Sequence, residues 1–195
     1  LKHMVMEDVY ITPKMAVSIC KNGKTLQKLN LNYSFTEESG YLQEIIKSCQ
    51  ELKKVNLTFV AHSLSEILLY DDLEFLTENI TPNVEELNLG LLNHCFMDDH
   101  VKVLLSRCKK VKKLSLQSMW ITDESLTNIR RYLNLTLEEL SFVASQYTTG
   151  TGFLELKSMP RLKSLNFYNR TKKDCEEIQN LRQHLPHLMI KGVLN

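Results

Sequence analysis

A six-residue pattern, Leu-x-x-Leu-x-Leu with apolar variants, recurs along nearly the whole chain and constrains the fold more than any other feature. Clear copies are Leu26-x-x-Leu29-x-Leu31, Leu52-x-x-Val55-x-Leu57, Val84-x-x-Leu87-x-Leu89, Val111-x-x-Leu114-x-Leu116, Leu137-x-x-Leu140-x-Phe142 and Leu162-x-x-Leu165-x-Phe167. Weaker copies stand at the ends, Leu1-x-x-Met4-x-Met6 and Leu185-x-x-Leu188-x-Ile190. The starts fall at 1, 26, 52, 84, 111, 137, 162 and 185, so the steps are 25, 26, 32, 27, 26, 25 and 23 residues. A near-constant period of this size describes units that cannot bury their apolar faces alone and must stack on one another.

Within a hexamer the Leu and Val positions point to one side of a short strand and the intervening positions to the other. Between hexamers the apolar spacing becomes helical. Ile45, Ile46 and Cys49, then Val101, Leu104, Leu105 and Cys108, then Leu126, Ile129 and Leu133 each form a stripe at three-to-four spacing. Strand followed by helix at a period of roughly 20–29 residues is the organisation of a leucine-rich-repeat solenoid. The expected fold is therefore α/β, one domain over 1–195. It is a curved horseshoe of about eight parallel strands on the concave face, with α-helices on the convex face. Helix starts are expected after Thr12 at Pro13, at Thr36, at Asp98-Asp99, at Thr122 and near Thr171, where oxygens and acids suit the free N–H groups of a first turn. Gly150 and Gly152 are expected to form a flexible connection in the sixth repeat, where a helix is short or lost. The longest step holds an insertion from Phe59 to Asp72, readable either as a partner-contacting loop or as a longer convex helix.

The outward strand positions carry two patterns. The first is charged: Gln27-Lys28, Lys53-Lys54, Glu85-Glu86, Lys112-Lys113, Glu138-Glu139 and Lys163-Ser164. Parallel neighbours lie about 4.8 Å apart, so each acid pair falls between lysine pairs and the stripe neutralises itself. This stripe is read as solubility and register chemistry. The second is polar and short: Asn30, Asn56, Asn88, Ser115, Ser141 and Asn166, followed by Asn32, Thr58, Gly90, Gln117, Val143 and Tyr168, with Tyr33, Phe59 and Tyr168 as aromatic rims. That face is the expected protein-binding surface, since amides and hydroxyls can match peptide groups beside a few aromatic anchors. The competing reading is that the Asn and Ser side chains only satisfy neighbouring strand and turn groups.

Composition narrows the classes of function. Lys and Arg number 24 against 23 Asp and Glu, for a net charge of +1, so no global field draws the chain to nucleic acid or to an anionic membrane. No apolar run approaches the roughly 18 residues of a membrane span. Five well-separated cysteines without a C-x-x-C pair suit a reducing, cytoplasmic or nuclear compartment. Sequons at Asn32, Asn56, Asn79, Asn134 and Asn169 point the other way, but a glycan on Asn32 or Asn56 would obstruct the expected face.

Catalysis is not expected, because the histidines are scattered and no set of activated groups converges. Asp98-Asp99-His100 resembles a metal cluster but coincides with a helix start. Cys49 and Cys108 are expected to fill helix-to-strand corners as small buried hydrophobes. Trp120 is expected to pack against the following helix. No metal and no cofactor are expected.

The runs Cys49-Gln-Glu-Leu-Lys-Lys-Val-Asn-Leu57 and Cys108-Lys-Lys-Val-Lys-Lys-Leu-Ser-Leu116 resemble the cysteine-containing leucine-rich repeats of F-box proteins. The stretch from Ile121 to Leu126 looks like that family's loop into the helix, and the stretch from Leu181 to Ile190 is similar to the family's C-terminal end. The likeness of repeats covers nearly the whole chain. It implies the substrate-recognition part of an SCF-type cullin-RING ubiquitin ligase receptor, holding a protein substrate on the concave face. Skp1 and cullin would be reached only through an N-terminal F-box that these 195 residues lack, so the chain is read as a C-terminal fragment of a longer protein. Asn83 before Val84 and Thr136 before Leu137 depart from the cysteine pattern. The alternative is a ligase-independent leucine-rich-repeat scaffold, an inhibitor, or a signalling or immune adaptor.

Overall fold

A computed structural model of the chain describes residues 1–36, 39–58, 70–90, 96–117, 121–169 and 175–194. Strands β1 (His3–Val5) and β2 (Tyr10–Ile11) precede helix α1 (Pro13–Asn22), and β3 (Lys28–Asn30) and β4 (Phe35–Thr36) precede α2 (Ser39–Ser48). One strand and one helix then alternate: β5 (Lys54–Asn56), α3 (Tyr70–Asn79), β6 (Glu86–Gly90), α4 (Asp98–Arg107), β7 (Lys113–Gln117) and α5 (Asp123–Leu133). The chain continues through β8 (Glu139–Ala144), α6 (Gly150–Glu155), β9 (Ser164–Asn169), α7 (Cys175–His184) and β10 (Met189–Leu194).

Eight strands form one parallel sheet in the order β1-β3-β5-β6-β7-β8-β9-β10. Each hexamer sits in or beside one of them, and the fourth residues of the first seven meet in register; in the last hexamer the pairing is shifted by two, so that its sixth residue, Ile190, stands beside Leu165. Met4, Leu29, Val55, Leu87, Leu114, Leu140, Leu165 and Ile190 form a row running from one edge to the other. The strands align because each start is tied to the one before it in the same way. The Gln27 carbonyl accepts from both Lys53 and Lys54, the Lys53 carbonyl from Glu85 and Glu86, and the Glu85 carbonyl from Lys112 and Lys113. The same bonding repeats at the Lys112 and Glu138 carbonyls. A second, two-stranded sheet pairs Tyr10 with Phe35 and Ile11 with Thr36. The hexamer pattern does not foretell it.

Consecutive helices contact one another from α1 through α7 and close one side of the sheet. Between the two layers lies one hydrophobic core, which takes in the hexamer leucines together with Ile45, Ile46, Val101, Leu104, Leu105, Leu126, Ile129 and Leu133. Burying each such side chain contributes roughly 1.5–3 kcal/mol. Cys49 and Cys108 lie fully buried in this core, and burial pushes both thiols up to about 11. Both fill small spaces in the core, and the Cys108 thiol also donates to the Thr81 carbonyl at 3.6 Å.

Two expectations about helix starts need correction. Asp98 is the first residue of α4, and its carboxylate reaches sideways to the next repeat rather than capping its own helix. It accepts from the Thr122 N–H at 3.3 Å, the Thr122 hydroxyl at 2.7 Å and the Ser125 hydroxyl. Asp123 does the same one repeat on, taking the Thr149 N–H at 2.7 Å and its hydroxyl at 2.6 Å. Thr122 and Thr149 in turn cap α5 and α6. Each staple thus joins the first turns of neighbouring helices. The second correction concerns Gly150 and Gly152, which form the buried first turn of the short helix α6 rather than a flexible connection. A Cβ on Gly152 would fall 2.4 Å from Asp123 Oδ1, so only glycine lets α6 come close enough for the Asp123 staple.

Where α6 is short, larger side chains fill the space. Phe142 and Phe167 replace the last leucine of their hexamers and pack with Phe153, with ring centroids 5.0–6.2 Å apart. The expected insertion from Phe59 lies outside the described residues as far as position 69, as do Trp120 and the expected helix start at Thr171. Among the described residues no helix is long and apolar enough to cross a membrane.

Candidate functional site

The face of the sheet away from the helices carries both outward patterns in adjacent rows. Asn30, Asn56, Asn88, Ser115, Ser141 and Asn166 align as direct register partners across six strands. Lys28, Lys54, Glu86, Lys113, Glu139 and Ser164 align beside them. Together the two rows, Ser164 apart, line a groove of ≈ 370 Å³. The charged row belongs to this groove as one of its walls, a role that reading it as solubility chemistry missed. The available signal was register: both rows lie two residues apart on the same strands.

Charge in the ladder is organised as the sequence expects. Each acid pair reaches one lysine on either side, with Glu86 to Lys54 at 2.7 Å, Glu85 to Lys112 at 2.6 Å, Glu139 to Lys113 at 2.7 Å and Glu138 to Lys163 at 2.6 Å. The lysine hydrogen bonds hold the Glu85 and Glu138 carboxyls below their ordinary value. The same bonds hold the Lys112 and Lys113 ammoniums above theirs. The lysines are solvent-exposed and the glutamates exposed or half-buried, so these pairs serve register more than stability.

The polar row divides into two parts. Asn30 and Asn56 are tied to their own strand ends: Asn30 Oδ1 accepts from the Asn32 N–H at 3.0 Å, and Asn56 Oδ1 from the Thr58 N–H at 3.1 Å and hydroxyl at 2.6 Å. Asn30 Nδ2 also donates to Glu7 at 2.6 Å. For these two residues the turn-satisfying role is the observed one. By contrast, Ser115, Ser141 and Asn166 make no side-chain hydrogen bond among the described residues, and Asn88 Oδ1 finds no partner there.

The other expected residues are spread more widely. Thr58 is buried, its methyl occupying the space over Gly90, where a Cβ would lie 2.6 Å from it. Asn32 and Tyr33 stand in the turn after β3, with Tyr33 exposed and at φ 56°, matching Asp8 at φ 55° one repeat earlier. Gln117 and Val143 are half-buried further along β7 and β8, beyond the groove lining. Phe59 and the Tyr168 side chain lie outside the described residues.

Among the described residues no group of His, Cys, Asp and Glu is placed to hold a metal ion. In the Asp98-Asp99-His100 run, Asp98 is committed to Thr122 and Ser125. His100 Nδ1 accepts the Met97 N–H at 3.1 Å, with the ring stacked on Phe96. The chain matches no family model and no curated protein at a significant level.

Proposed function

We propose that the chain is a leucine-rich-repeat solenoid whose sheet is the concave, protein-binding side. The observation that carries this reading is the groove across six strands, floored by Ser115, Ser141 and Asn166, whose hydrogen-bonding capacity is unspent. Groups of this kind suit the main chain of an extended segment, which offers one donor and one acceptor per residue. No catalysis is assigned to the face; its chemistry is recognition.

The more specific reading, drawn from the repeat likeness, is substrate recognition for an SCF-type ubiquitin ligase in the cytoplasm or nucleus. An F-box elsewhere in a longer parent protein would engage Skp1 and cullin. A ligase-independent scaffold, inhibitor or adaptor would use the same groove. Two experiments separate these levels. A photo-crosslinking residue placed at Ser141 should capture a protein partner from cell extract, while one at Lys102 on the helix layer should not; equal capture at both would remove the groove from the reading. Recovery of Skp1 and a cullin with the parent protein would support the ligase role, and their absence from a folded parent would favour the scaffold.

A further inference from the structure

The charge ladder does not close. Its two rows, at the strand start and one residue further, contain Lys2, Lys28, Lys53, Lys54, Lys112, Lys113 and Lys163 against Glu85, Glu86, Glu138 and Glu139. All four glutamates are taken, by Lys54, Lys112, Lys113 and Lys163. Lys2, Lys28 and Lys53 make no ion pair among the described residues. Lys28 lines one end of the groove with His3 in register beside it, and Lys2 and Lys53 stand just before β1 and β5 in the row next to it. Glu7, the acid following β1, has its carboxylate on the Asn30 amide and pairs with none of them. At the other end of the groove Ser141 and Asn166 are uncharged, with Lys191 in register beside Asn166 on β10.

We infer that the groove takes an extended acidic peptide segment of a protein partner, its carboxylates over Lys2, Lys28 and Lys53 and its uncharged part along Ser115, Ser141 and Asn166. This rests on the groove being the binding face. Charge complementarity supplies the argument: a partner's carboxylates meet three ammoniums carried on three neighbouring strands that lie about 4.8 Å apart, within a Debye length or so of one another at physiological salt. Nucleic acid fits less well, because a continuous phosphate backbone would also cross Glu86 and Glu139.

The test is selection of a random peptide display library on the chain, followed by affinity measurement of the enriched peptides on the chain and its variants. Expected are peptides with clustered Asp and Glu. Their binding should weaken about five- to tenfold in the Lys28→Gln/Lys53→Gln double variant, weaken as salt rises, and be lost in Ser141→Arg. Enrichment of uncharged or basic peptides that Ser141→Arg releases and the lysine variant does not would overturn the acidic segment while leaving the groove reading intact. If enriched peptides ignore both variants, or none is enriched on the folded chain, both readings fall. Lys53 is exposed and Lys28 and Ser141 are half-buried, so each variant is first checked for native fold by circular dichroism.

Discussion

At the scale of single residues, Gly90 and Thr58 show how closely the strand ends fit. The Thr58 methyl fills the site where any Gly90 side chain would begin. Gly90→Ala should cost about 1–3 kcal/mol in urea unfolding. Adding Thr58→Ser, which removes the methyl and keeps the hydroxyl on Asn56, should recover part of that loss; strict additivity of the two changes would show that the contact is not the cause. His100 supplies the pH dependence. Burial lowers its pKa, against the opposing charges of Asp99 and Glu74, so the folded state favours the neutral ring. Its contribution is complete above the ordinary imidazole value of about 6.5 and is lost as pH falls from there through the lowered folded value. Glu85 and Glu138 are lowered below 4.5 and act only in a more acidic window. His100→Gln keeps an acceptor for the Met97 N–H and should abolish the stability slope that opens near pH 6.5, leaving the lower one; an unchanged slope would assign it elsewhere.

At the scale of elements, neighbouring helices are joined through their first turns as well as through their apolar stripes. Asp123 holds the start of α6 and Asp98 the start of α5. Arg130 adds an ion pair to Glu155 between α5 and α6. Asp123→Ala should cost roughly 1.5–3 kcal/mol, the usual range for hydrogen bonds to a charged group. Amide exchange should rise first in α6, the shortest helix; a uniform rise across all helices would mean that the staple is not local. The sequence shows Asp and Thr at both helix starts, and capping is the natural reading of either. It does not show that the carboxylate bridges to the next repeat, because Asp98 and Thr122 are 24 residues apart and meet only when the helices stack.

At the scale of the molecule, a stacked array with each unit contacting its neighbours opens from its ends more readily than from its middle. Cys49 lies in the second repeat and Cys108 nearer the centre, both fully buried and with thiols raised to about 11. Neither should react with a thiol reagent at pH 8 except through opening. Under native conditions Cys49 should label faster than Cys108, resolved peptide by peptide by mass spectrometry. Equal rates would indicate that the whole sheet opens as one cooperative unit.

The sequence by itself determined the number and order of the strands in the main sheet, the stripes that become the helix layer, and the alternation of lysine and glutamate pairs. These follow from periodicity, which is a local property: side chains two apart share a strand face and those three or four apart share a helix face. Only the tertiary structure decided which outward residues are spent on the fold and which are left for a partner. Asn30, Asn56, Ser115 and Asn166 occupy the same position of the repeat and look interchangeable in the sequence. Hydrogen bonds within the first two and none from the last two divide them. Likewise the surplus of Lys2, Lys28 and Lys53 emerges only when register shows which lysines the four glutamates have already taken.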